Sequence, residues 1–225
     1  MTTVREIALR CPVCATWFQS AAMDQASGYA RTSTDFHRRI DGAEPVAYEV
    51  DLCTACGFAG PRDDFASDPV SATSAAALEA REATTSTVAN VTASEKYEAA
   101  AARAASSGEG RGIVADLLLR AAWCCVHERD PEAERFFRRG AARAYELALA
   151  QYDDVPRSKR AEVTYLVGEL WRRVGDDVRA REWLERVAEE VVDEEAQDWL
   201  VRLAAQQRDK PREWMVAGES QSATR

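Results

Sequence analysis

Four cysteines stand in two pairs, Cys11-Pro12-Val13-Cys14 and Cys53-Thr54-Ala55-Cys56, the second followed by Gly57. A Cys-x-x-Cys loop turns both thiolates toward one cation, and two such loops complete a tetrahedral shell for Zn²⁺ with bonds of about 2.3 Å. A four-thiolate shell leaves no position for water or substrate. Cys11, Cys14, Cys53 and Cys56 are therefore expected to hold a structural zinc. The alternatives are a redox-active or disulfide pair, or thiols with no ligand role. A thioredoxin-like motif needs a Cys-x-x-Cys opening a helix in a βαβ pattern, whereas both pairs here lie among short extended segments.

Other residues invite chemistry less strongly. Asp35 and Asp64, each followed by Phe, could serve as an acid–base pair if one cleft held both and shifted their pKa values. The plainer expectation is that each carboxylate caps a turn beside the zinc knuckles while its Phe enters the core. His37 could stand near the metal, but four thiolates already suffice, so a surface or packing role is expected. Cys124-Cys125, with His127 nearby, suggests a second metal or a redox sensor; both Cys lie on an apolar helical stripe, where Cys acts as a small hydrophobe. Glu169, Arg172, Arg173, Arg179 and Arg181 could line a groove for an acidic peptide, or could be solvated faces and helix-spanning ion pairs.

Charge and length narrow the classes. The chain of 225 residues has a net charge of −9, which opposes sequence-independent binding to phosphate backbones. Residues 1–65 are themselves net negative, so nucleic acid is not an expected partner. The first ten residues carry Arg5, Glu6 and Arg10 and no apolar core of a signal peptide. No apolar run approaches the ~18 residues of a membrane span. The expected compartment is the reducing cytoplasm, where paired Cys-x-x-Cys motifs more often bind metal than form disulfides.

Two kinds of element must position these residues. Val46, Tyr48, Val50 and Leu52 alternate with Ala47, Glu49 and Asp51, a period-two pattern that predicts a strand delivering Cys53 to the second knuckle. Residues 67–92 are rich in Ala, Ser and Thr and read as a linker, with a short helix expected near 75–83. From about Ser94 the apolar period is helical: Ile113, Val114, Leu117, Leu118, Ala121, Cys124 and Cys125 mark one stripe, Ala133, Phe136, Phe137, Gly140, Ala141, Ala144 and Ala148 another, and Val163 to Val174 a third, with two more from Ala180 to Val191 and Ala196 to Ala204. Asp130-Pro131, Pro156 and Gly175-Asp176 are expected at the joints. Gly168, Trp171, Ala180 and Leu184 meet the tetratricopeptide spacing, and Ala121, Cys124, Ala133 and Phe137 repeat it with Cys at the aromatic place.

In this order the motifs resemble a bacterial family known only as domain of unknown function 2225. Its pattern of Cys-Pro-x-Cys, Asp-Phe, Pro-x-x-Tyr, Cys-x-x-Cys-Gly-aromatic-Ala, Asp-Phe and Tyr-Leu-x-Gly-Glu-Leu-x-Arg-Arg-x-Gly corresponds to Cys11–Cys14, Asp35-Phe36, Pro45 and Tyr48, Cys53–Ala59, Asp64-Phe65 and Tyr165–Gly175. The departures are Ala15, where Gly is the family's residue, and a linker richer in Ala and Thr. The resemblance implies zinc binding and a helical-repeat body and carries no activity.

The combined expectation is an α+β, mainly α, protein. A zinc ribbon (1–66) and linker (67–92) precede a tetratricopeptide-like helical domain (93–208) and a disordered tail (209–225). Its expected role is that of a zinc-binding scaffold, not an enzyme, holding a protein partner along the inner face of the helices. The alternatives are a redox-sensing zinc switch, and a hydrolase or transferase using Asp35 and Asp64.

Overall fold

The computed structural model describes residues 3–25, 28, 30–40, 42, 44–67, 91–151 and 153–216. The helix expected near 75–83 lies outside them. The N-terminal part is built of short strands: β1 (Thr3–Arg10), β2 (Trp17–Gln25), β3 (Ala30–Thr32), β4 (Arg38–Ile40), β5 (Val50–Leu52), β6 (Ala59–Pro61) and β7 (Ala66–Ser67). β1 pairs antiparallel with β2 and with β7, and β3–β4 and β5–β6 form separate two-stranded ladders. Each cysteine pair occupies the tip of a hairpin, the first between β1 and β2 and the second between β5 and β6. Beneath them Leu9, Phe18 and Phe65 bury with Cys11 and Cys53, the rings of Phe18 and Phe58 meeting Phe65 edge-on at 5.5 and 5.3 Å.

The strand expected from Val46 is shorter than its alternation suggested. Pro45–Tyr48 forms a 3₁₀ turn and only Val50–Leu52 is extended. Pro45 fixes φ in the helical range and offers no N–H to a ladder, and the turn closes through Glu49 N–H to the Val46 carbonyl at 3.4 Å. Val46 and Val50 still reach the core, four residues apart across a turn.

Among the described residues six helices follow: α1 (Ala93–Ser106), α2 (Arg111–Glu128), α3 (Pro131–Ala150), α4 (Arg160–Val174), α5 (Asp177–Arg186) and α6 (Glu194–Asp209). Their ends obey local chemistry. Thr92 and Glu95 make a capping box on α1, and Asp130, Asp176 and Asp193 each accept backbone N–H groups at the starts of α3, α5 and α6. Gly175, at φ 86°, closes α4 in the left-handed conformation that glycine adopts without steric cost. Pro156 precedes a 3₁₀ turn, Arg157–Lys159, before α4 begins. Where α4 crosses α5, a Cβ on Gly168 would lie 2.7 Å from Leu184 Cγ, so the crossing requires the missing side chain. Cys124 and Cys125 are buried in the core, as their stripe implied.

Ribbon and helices share a core: Val46, Val50 and Ala59 pack with Tyr97 and Ala100 of α1, Ala121, Cys124 and Cys125 of α2, and Phe137 of α3. Tyr97 Oη donates to the Val46 carbonyl at 2.8 Å, and Arg103 Nε to the Ala59 carbonyl at 2.7 Å. Residues 210–216, expected within a disordered tail, instead pack: Trp214 bridges to Ser33, Met215 N–H donates to the Thr32 carbonyl at 2.9 Å, and Met215 lies against the α4–α6 core. The physical reason is that Trp214 and Met215 find an open backbone edge and apolar surface there. Residues 217–225 lie outside the described part. Among the described residues no helix is long and apolar enough to cross a membrane.

Candidate metal centre

The two hairpin tips are near copies. Cys11 N–H donates to the Thr16 carbonyl at 3.0 Å and Ala15 N–H to the Cys11 carbonyl at 3.0 Å; in the second tip Cys53 N–H donates to Phe58 at 2.8 Å and Gly57 N–H to Cys53 at 2.8 Å. In each, the residue after the second cysteine is left-handed, Ala15 at φ 60° and Gly57 at φ 77°. This conformation reverses the chain so that both sulfurs face one point, and it explains why a glycine belongs at position 15. For Ala the conformation costs about 1–2 kcal/mol.

The four Sγ atoms all lie within 4.8 Å of one another. Cys11 approaches Cys56 at 3.5 Å and Cys14 approaches Cys53 at 3.7 Å. Thiolates at about 2.3 Å from a tetrahedral ion stand about 3.8 Å apart, so the donor set fits Zn²⁺ in number, chemistry and spacing. None of the cysteines is disulfide-bonded; Cys11 and Cys53 are buried, Cys14 and Cys56 exposed. Hydrogen bonding to the side chain and backbone of Thr16 lowers the Cys14 thiol to about 6, while burial raises Cys53 to about 12 and raises Cys56 as well. A bound cation deprotonates such thiols because the thiolate is the ligand. Thr16 was not singled out by spacing; its place directly after the knuckle was the available signal.

Asp35 does not cap a turn beside the knuckles. The segment Ser33–His37 runs into the helices, and Asp35, 1% exposed, accepts from Arg138 Nη1 at 2.5 Å and Trp123 Nε1 at 3.0 Å. Burial alone would raise its carboxyl, but Arg138, Arg173 and the Ser33 hydroxyl hold it well below the ordinary carboxylate range. Thr34 Oγ1 donates to Glu169 at 2.7 Å, Tyr165 Oη donates to the Thr34 carbonyl at 2.7 Å, and Phe36 stacks on Tyr165 at 5.3 Å. His37 is buried too, its Nε2 2.8 Å from Glu44 and its ring on Trp123.

This loop touches α2, α4 and α6 through Trp123, Tyr165 and Trp199. The chain thus covers part of these three helices with its own loop. Glu169, Arg172 and Arg173 are not a solvated face. Glu169 is wholly buried and receives Arg172 at 2.8 Å, Arg173 at 2.7 Å and Gln207 at 3.0 Å. Although burial would raise its carboxyl, those arginines hold it down.

Asp64 lies elsewhere, half-exposed 3.9 Å from Arg103 of α1, and shares no partner with Asp35. Burial raises the Cys124 thiol above its ordinary value and Cys125 to about 11, which suits inert core thiols. Sequence reading missed Arg138. Its signal was its place between Phe137 and Ala141 on the buried face of α3.

The fold and site define a mainly helical protein with a clustered four-cysteine centre. The family model described as "Uncharacterized protein conserved in bacteria (DUF2225)" matches residues 5–210, and the chain belongs to that family. Neither the curated proteins nor the solved structures contain a match to it.

Proposed function

We propose that the protein is a zinc-stapled, non-catalytic scaffold: Cys11, Cys14, Cys53 and Cys56 hold one structural Zn²⁺, and the helices 93–208 present a surface to a protein partner. The observation that carries the metal reading is the set of four sulfurs within 4.8 Å at the tips of two matched hairpins. The scaffold reading is supported by the closed thiolate set and by the net charge of −9, which disfavours nucleic acid. The acid–base reading of Asp35 and Asp64 lacks support, because Asp35 is held by Arg138 and Trp123 and Asp64 stands beside Arg103. Since Thr34–Phe36 already cover the parts of α4 and α6 where a repeat stack would have its inner groove, a partner there would have to displace them, and the outer faces are the more accessible ones.

Elemental analysis of the freshly purified full chain tests the metal reading. One zinc per chain is expected, and none in Cys11→Ser/Cys53→Ser; metal-free wild type, or full zinc in the variant, refutes it. Crosslinking in the cells of origin tests the scaffold reading, which fails if the full chain captures no protein. A second reading, redox-triggered zinc release, is favoured by the exposure of Cys14 and Cys56. Zinc release in step with added peroxide, reversed by thiol, is its signature.

A further inference from the structure

The outward side of α3 carries an unusual surface. Phe136 is 62% exposed and Leu147 52% exposed. At 100° per residue they share one stripe with Arg139 and Arg143, and Arg135 flanks it. Val178, at the start of α5, is 71% exposed and shares a groove with Arg139 and Arg143. Between α3 and the α4–α5 turn runs a groove of about 570 Å³, lined by Arg139, Arg143, Val174 and Val178 and floored by Trp171, over whose ring the Arg179 guanidinium lies at 4.6 Å.

Charge decides what this surface fits. Several arginines elsewhere are neutralised within the chain: Arg120 with Glu49, Arg160 with Glu190, Arg172 and Arg173 with Glu169. Arg135, Arg139 and Arg143, one helical turn apart, have no carboxylate within ion-pairing distance among the described residues, in a chain with 38 acidic residues against 29 basic ones. The nearby acids are mostly engaged: Asp176 caps α5 and lies 3.5 Å from Arg179, and Glu146 accepts from Trp171 Nε1 at 2.7 Å.

Resting on the scaffold reading above, we propose that this face of α3 with the start of α5 docks an acidic amphipathic helix of the partner. The partner's apolar ridge lies along Phe136, Val178 and Leu147, and its Asp or Glu residues face Arg139 and Arg143. From Phe136 to Leu147 the stripe spans about 16 Å, some three helical turns, and partner positions i, i+4 and i+7 would meet it. A polyanion fits less well, because the exposed apolar side chains of Phe136, Leu147 and Val178 give phosphates nothing to bind.

The test uses the zinc-loaded full chain and a fluorescein-labelled 16-residue helical peptide with Leu at i, i+4, i+7 and i+11 and Glu on both flanks, read by anisotropy. Saturable binding that weakens as salt rises is expected, because exposed charge pairs are screened. Arg139→Glu/Arg143→Glu should lose about tenfold or more in affinity with zinc content and melting temperature unchanged, and a Lys-flanked peptide should prefer that variant. The proposal is overturned if the Glu peptide does not bind, if the charge-reversed variant binds it equally, or if a single-stranded oligonucleotide displaces it at physiological salt. A full chain that captures a protein in cells yet ignores the peptide sinks this surface alone, whereas a chain that captures nothing sinks the scaffold reading itself.

Discussion

At position 15 an alanine does what its counterpart Gly57 does with less strain, since both residues are left-handed at the end of a knuckle. Replacing Ala15 by Gly removes about 1–2 kcal/mol of steric cost and adds about 0.5–1 kcal/mol of unfolded-state entropy. Ala15→Gly should therefore stabilise by up to about 1.5 kcal/mol and, if zinc is bound as proposed, slow its loss to a chelator; Gly57→Ala should do the reverse. A melting temperature unmoved in both variants would contradict the φ argument. Asp35 offers a second test. Removing Arg138 leaves a buried carboxylate short of its main counter-charge, a change that costs about 3–5 kcal/mol in buried pairs, so Arg138→Met should melt far earlier than wild type. A depressed folded-state pKa adds stability that is present above the unfolded value, about 3.9, and fades as pH falls toward the folded one. The melting gap between wild type and Asp35→Asn should accordingly be full at pH 7 and shrink below about pH 4. A gap that widens on acidification would reverse the sign assigned to Asp35.

Most of each helix stripe, the caps at Asp130 and Asp176 and the glycine stop at Gly175 were legible because each depends on neighbours within a few residues, whereas Ile113 and Phe136, counted on the stripes, face outward. The cysteine cluster was legible for a related reason: each knuckle is a local turn, and two local turns have few ways to serve one ion. The path of Ser33–His37 was not legible. Nothing adjacent to Asp35 indicates that Arg138, 103 positions away, supplies its counter-charge. The Val46–Leu52 alternation misled because Pro45 opens a 3₁₀ turn through Tyr48, and Val46 in that turn and Val50 in the short strand beyond it both reach the core. The α4–α5 crossing is the element where spacing carried furthest. A Cβ at Gly168 would meet Leu184 Cγ at 2.7 Å, Cδ2 at 2.9 Å and its backbone nitrogen at 3.1 Å. Trimming the Leu side chain relieves the first two contacts and leaves the third. Gly168→Ala should cost about 1–3 kcal/mol, and Gly168→Ala in a Leu184→Ala background should cost clearly less. Equal losses in both backgrounds would mean that backbone separation, not the Leu184 side chain, sets the penalty.

Across the whole molecule, the cysteine cluster and the helices are joined by packing. Cys53 follows β5 directly, β5 begins at Val50, and Val50 with Val46 and Ala59 packs on Tyr97, Ala100 and Phe137. Losing the second knuckle would loosen β5 and β6, expose the apolar side of α1 and free the Tyr97 and Arg103 hydrogen bonds to Val46 and Ala59. Each large apolar side chain returned to water costs about 1.5–3 kcal/mol, so the damage cannot stay within the ribbon. Zinc that binds only the folded chain stabilises every element folding in the same cooperative step. If zinc is bound as proposed, its removal by a chelator should lower the melting temperature followed by helical circular dichroism, although all four ligands lie outside the helices. Cys53→Ser should show the same lowered transition with or without chelator. If the helical signal melts at an unchanged temperature after zinc is stripped, the shared core does not couple the two parts, and the ribbon folds and unfolds on its own.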